Sequence, residues 1–200
     1  MKAIVLLLFL AMASALAHAQ HGGRPVVPYA GQDARDIKSL SAEDVGELRR
    51  GGGWGLAKAA ELNGMPGPAH LLELRDRIGL TANQASAIQA IFDKMRADAV
   101  SEGERLIALE RALDEQFRNR TVTNQSLREA LTEIERSRQA LRYIHLSAHL
   151  TTPPLLTQEQ VRRYNALRGY AENPCSAIPA GHDAATWRQH NGCEATVHSR

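Results

Sequence analysis

The sequence predicts an all-α protein: one long antiparallel helical hairpin with short helices packed on it. Three observations carry this expectation. Apolar residues recur at steps of three and four through residues 82–117 and again through 124–151, the pattern of one buried helix face. The segment NRTVTN forms a polar break between the two stretches. No alternating run marks a strand, and the nearest candidate, VVPY, contains a Pro that argues against a central strand.

The elements follow in chain order. Lys2 precedes the uncharged run IVLLLFLAMASALA, and Ala17, His18 and Ala19 give an A-x-A cleavage pattern, so residues 1–19 read as a secretory signal peptide. That run is short of the roughly 20 residues of a membrane span, and no later segment is apolar enough to be one. Residues 20–65 read as an extended leader followed by short helices. Ser41, with Asp44 three places on, predicts an N-cap, and the glycines of 51–53 predict the stop. WGLAKAAEL predicts a second short helix ending near Asn63-Gly64. Pro66 and Pro68 open a third, PAHLLELRDRI, with Leu71, Leu74 and Ile78 on its apolar face.

LTANQ at 80–84 and LTQEQ at 156–160 are near-copies, each just ahead of an apolar repeat. In each, the Thr hydroxyl accepts from the N–H of the second or the third helical residue, and the Gln at the third reaches back to the Thr N–H, a capping box. Leu80 and Leu156 precede the caps as hydrophobic staples. The first long helix then carries Ile88, Ile91, Phe92, Met95, Ala99, Leu106, Leu109, Leu113 and Phe117 inward. Glu102 interrupts this seam and Gly103 permits a bend. Thr123 caps the second long helix, with Leu127, Leu131, Ile134, Leu141, Ile144 and Ala148 facing inward. It ends near Thr151, ahead of Pro153 and Pro154. The LTQEQ helix carries Val161, Tyr164 and Leu167 and stops at Gly169. A hairpin this long has much side surface and little depth, so a second copy is expected to cover part of it.

The two motifs resemble those of the Spy/CpxP-like LTxxQ family of periplasmic proteins, over a core of residues 66–170. Leu80, Thr81, Gln84, Leu156, Thr157 and Gln160 stand at the motif positions. The resemblance implies a small helical protein of the bacterial periplasm, a cradle-like dimer, and no catalysis. It implies a stress-response role: holding unfolded envelope proteins, partnering a membrane sensor protein, or sensing heavy metals.

Charge excludes one class. The chain has 24 Lys plus Arg against 22 Asp plus Glu, without the basic excess of a nucleic-acid binder. The residues that could carry chemistry are few. His145 and His149 lie four apart on one helix face, a start for a divalent metal site of zinc, copper or nickel, with His70 and Glu73 placed to join them. The alternative is structural, with His145 hydrogen-bonded in the core seam and His149 half exposed. HLSAH lacks the Glu of a metalloprotease HExxH helix. In the tail, 171–200, Cys175 and Cys193 are expected to form a disulfide after export, closing a loop worth on the order of 3 kcal/mol. The tail's His182, His190 and His198 leave a soft metal patch open as a second reading. GGGWG at 51–55 lacks the GK[ST] ending of a phosphate loop, and no local Ser/His/acid arrangement marks a nucleophile. The sequence thus predicts a non-enzymatic helical binding protein, with a metal-binding protein as the alternative.

Overall fold

The computed structural model describes residues 28–170, 178, 183–190 and 193. The expected signal peptide and the leader to residue 27 lie outside the described residues, as do Cys175, His182 and His198. The chain divides into two compact units, Met1–Asp33 and Ala34–Arg200. In the first, the described residues form a turn in which Gln32 N–H donates to the Tyr29 carbonyl at 3.0 Å.

The second unit is built on α5 (Ala82–Arg118) packed along α6 (Asn124–Thr151). The 37 residues of α5 span about 55 Å at ~1.5 Å per residue. Among the described residues every regular element is helical. α1 (Ala42–Arg49) and α3 (Pro68–Glu73) both lie against α5, and the short α2 (Lys58–Glu61) meets α6. α4 (Arg75–Ile78) leads into α5 and also meets α7 (Gln158–Arg168). A last short helix, α8 (Ala184–His190), lies in the tail.

The short helices depart from their expected lengths. The segment 54–62 is helical only over α2. The 68–78 segment splits at Leu74, whose backbone (φ −101°, ψ 10°) is outside the helical range, into α3 and α4. The long helices start and stop as their caps dictate: Thr81, Thr123 and Thr157 each form a complete capping box, and α7 ends at Gly169 in the left-handed conformation.

One core lies between α1 and the hairpin, with Ile37, Leu40, Leu48, Ala99, Leu106, Ile107, Ile134 and Leu141 buried together. Ile37 and Leu40 belong to the stretch read as extended leader, so that stretch ends inside the core. A second core joins Leu71, Ile78, Ile88 and Tyr164 beneath the two LT motifs. Two residues expected in the seam are outside it: Phe117 is 54% exposed and Leu131 45%. Both sit toward the hairpin tip, beyond the cover of α1 and the short helices.

α5 runs through Gly103 as one helix. The glycine makes room for α1: a Cβ there would stand 2.5 Å from the Leu48 carbonyl oxygen. Polar links complete this docking. Ser41 and Asp44 form the α1 capping box, and Trp54 Nε1 donates to Asp44 Oδ1 at 2.8 Å. Hydrogen bonds from Ser41, then Trp54, hold the Asp44 carboxyl below its ordinary range. Trp54 adopts φ +44°, costly for a bulky residue. Its ring is covered by the Arg138 guanidinium 5.3 Å away, and Arg138 in turn pairs with the buried Glu110, which also accepts from Ser39 Oγ at 2.7 Å.

Candidate functional site

The repeated motifs meet in space. Gln84 Nε2 donates to Gln160 Oε1 at 2.9 Å, and Gln160 Nε2 donates to Gln84 Oε1 at 3.0 Å, so the two amides form a closed pair. Each remaining amide hydrogen goes to a backbone carbonyl beside the other motif: Gln84 to Leu155 at 2.8 Å, Gln160 to Gly79 at 3.0 Å. Each Oε1 also accepts the N–H of its own capping Thr, Thr81 at 2.9 Å and Thr157 at 3.0 Å. Both amides are therefore fully used, two bonds given and two received. Capping alone was legible from the sequence; the pairing of the two Gln residues was not. Leu80 and Leu156 pack against the second core beneath the pair. These six residues are structural, and they weld the start of α5 to the start of α7.

Among the described residues the histidines do not form a metal centre. His149 is buried, and its Nδ1 donates to the Met65 carbonyl at 2.8 Å, which leaves Nε2 as its free lone pair. Gly67 covers that nitrogen: a Cβ at Gly67 would lie 2.4 Å from it. His145 is only 3% exposed, and its Nε2 has no hydrogen-bond partner. His70 is engaged with carboxylates, Glu73 at 2.9 Å and Glu61 at 3.6 Å. Among the described residues no group of three or more His, Cys, Asp or Glu could hold a metal ion. The expectation of zinc or copper on His145, His149, His70 and Glu73 is corrected accordingly: helical spacing brings the two rings to one face, but α3 and the segment before it close over them. In the tail, Cys193 is disulfide-bonded, while Cys175 lies outside the described residues.

Burial lowers the His145 pKa from its ordinary 6.5, His149 nearby adds to this, and a backbone hydrogen bond with Gly52 acts the other way. A buried His whose folded pKa is depressed binds fewer protons folded than unfolded, so its contribution to stability is present above about pH 6.5 and is lost as pH falls through the folded value. Melting temperature is therefore expected to drop on acidification below about pH 6.5, and His145→Gln to flatten that slope. An unchanged slope in the variant defeats the assignment to His145.

Two concave surfaces border the hairpin's histidine-bearing half. A groove of about 370 Å³ runs between α5 and α6, with Ile91, Met95, Ile144 and Ala148 in it and Tyr143 on its rim. A cavity of about 450 Å³ lies among the 50–53 loop, the start of α3 and the hairpin. Sequence reading missed the structural residues Glu110 and Ile107, and the role of Gly103 in seating α1. For Ile107 a signal was present, since it directly follows Leu106 and widens the apolar stripe.

No family model, no curated protein and no solved structure matches this chain. No helix among the described residues is long and apolar enough to cross a membrane.

Proposed function

We propose that this protein is a non-enzymatic periplasmic stress-response protein that holds partner protein chains on the outer face of its helical hairpin. The observation carrying the reading is the groove between α5 and α6 and the apolar residues beside it. Tyr143 is 71% exposed and Leu150 63%, and their seven-residue spacing puts both on one face of α6. Large apolar side chains grouped beside an apolar groove are what adaptable contact with an unfolded chain requires. Lys94, paired with Asp98 at 2.7 Å, adds a polar rim. The welded motifs support the same reading, because they keep the hairpin rigid while its outer face stays open. The resemblance of those motifs to the LTxxQ family points to the same role and compartment. A second copy pairing along the hairpin belongs to this proposal, and sedimentation velocity tests it.

The experiment is suppression of aggregation of a chemically unfolded model client. The wild-type chain is expected to suppress aggregation at near-stoichiometric ratios. Tyr143→Ser combined with Leu150→Ser is expected to weaken client binding about tenfold, equivalent to ~1.4 kcal/mol, without changing the melting temperature. Both substitutions are at exposed positions, so full suppression by the folded double variant rules out this face.

A further inference from the structure

We propose that the glycine loop 51–55 is a lid latched by His145, and that acid releases it, joining the cavity of about 450 Å³ beneath it to the apolar groove of the outer face. This regulates the client-binding groove and rests on that reading for its use; the movement of the lid does not. Gly51, Gly52 and Gly53 line the cavity together with His145, Phe92 and Met95. Met95 also lines the outer groove, so one side chain borders both surfaces. The His145 ring bonds to the Gly52 backbone, which ties the loop to α6. The loop itself is strained. Gly51, Trp54 and Gly55 have positive φ, and Trp54 at +44° holds a conformation that bulky residues rarely adopt. Its backbone bonds are local: Gly51 N–H donates to the Leu48 carbonyl, Gly52 N–H to Glu47, and Leu56 N–H to Gly53. Arg96 Nε–H donates to the Arg50 carbonyl at 3.3 Å, which makes residue 50 the hinge. Trp54 is the second anchor, through Asp44 Oδ1 and the Arg138 guanidinium.

The closed lid has no place for a proton on this ring. Nε2 of His145 is buried without a hydrogen-bond partner, so a second N–H there would find no acceptor. His149 stands one turn further along α6, and Arg96 of α5 adds positive charge at the cavity. The carboxylates nearby are engaged with other groups. Glu47 of α1, which lies against Gly52, pairs with Arg50 of the loop. Glu61 of α2 pairs with His70 and Arg168, and Glu73 of α3 with His70. Burial, then His149, accordingly holds the His145 pKa below its ordinary 6.5. A ring freed by the opened lid regains that ordinary value. The open form therefore binds the proton the closed form refuses, and it gains population as pH falls below about 6.5.

The test is hydrogen–deuterium exchange of the full chain at about pH 7.5 and about pH 5, corrected for intrinsic rates. The peptide covering 50–57 is expected to lose about tenfold in protection at the acid pH, while the middles of α5 and α6 keep theirs. His145→Gln is expected to abolish that difference. Trp54→Phe removes the bond to Asp44 and leaves the titrating ring in place. It is expected to lower protection of the same peptide at both pH values and to keep their ratio. Aggregation suppression by the wild-type chain is expected to strengthen at the acid pH, and not to do so in His145→Gln. No acid loss at 50–57, an equal loss through α5 and α6, or an unchanged ratio in His145→Gln overturns the lid. A lid that opens while suppression ignores pH overturns the joining of the two surfaces. A lid that opens in a chain that suppresses no aggregation at either pH overturns the outer-face reading alone.

Discussion

Gln160→Ala is expected to destabilise the protein by about 2–4 kcal/mol, read as a lower midpoint in urea denaturation. The substitution removes half of a capping box, for which about 1 kcal/mol is typical. It also strands the Thr157 N–H, the Gly79 carbonyl and one donor and one acceptor of Gln84. Gln160 is only 8% exposed, so water replaces these partners poorly. Gln84→Ala should cost less, because Thr81 and its surroundings are open to solvent. The decisive measurement is the double-mutant cycle. Since either single change already breaks the amide pair, the double variant should lose about 1–2 kcal/mol less than the two single losses together. Strict additivity would mean that the two motifs act as independent caps.

Gly103→Ala is expected to cost about 2 kcal/mol even though alanine is the better helix former. The new methyl would stand 2.5 Å from the Leu48 carbonyl oxygen and 3.0 Å from its carbon, both backbone atoms that cannot rotate away. α1 would have to lift from the hairpin, loosening the core around Leu48, Leu106 and Ile107. Gly46→Ala is the contrast. It too lies within a helix, but its new methyl meets only the mobile end of Arg50 at 3.3 Å. That variant should be stabilised by roughly 0.5–1 kcal/mol. If both substitutions shift the urea midpoint in the same direction, close contact at Gly103 is not what selects glycine.

The features that could be read from the sequence are those that depend on near neighbours. The Thr caps, the stop at Gly169 and the two long helices rest on interactions a few residues apart, and each is where its local pattern puts it. Features set by distant partners were hidden. The amide pair joins residues 76 apart in sequence, and no local pattern distinguishes it from two ordinary caps. Periodicity marked Phe117 and Leu131 as inward, because it records a helix face and not whether another element covers it. Glu102 is the polar break that the sequence shows in the seam, yet the buried acid is Glu110, made tolerable by Ser39 and Arg138 from elsewhere in the chain. The histidine spacing was legible; the closure of Gly67 over His149 was not. That single backbone approach separates a metal-ready ring from a buried structural one.

The amide pair also has a consequence for how the molecule opens. Two helix entries that share one set of bonds have no separate fraying equilibria: releasing one strips partners from the other. Amide hydrogens at the beginnings of α5 and α7 should therefore exchange with solvent deuterium at a common rate, as one cooperative unit, and a protease should find neither junction cleavable until both have let go.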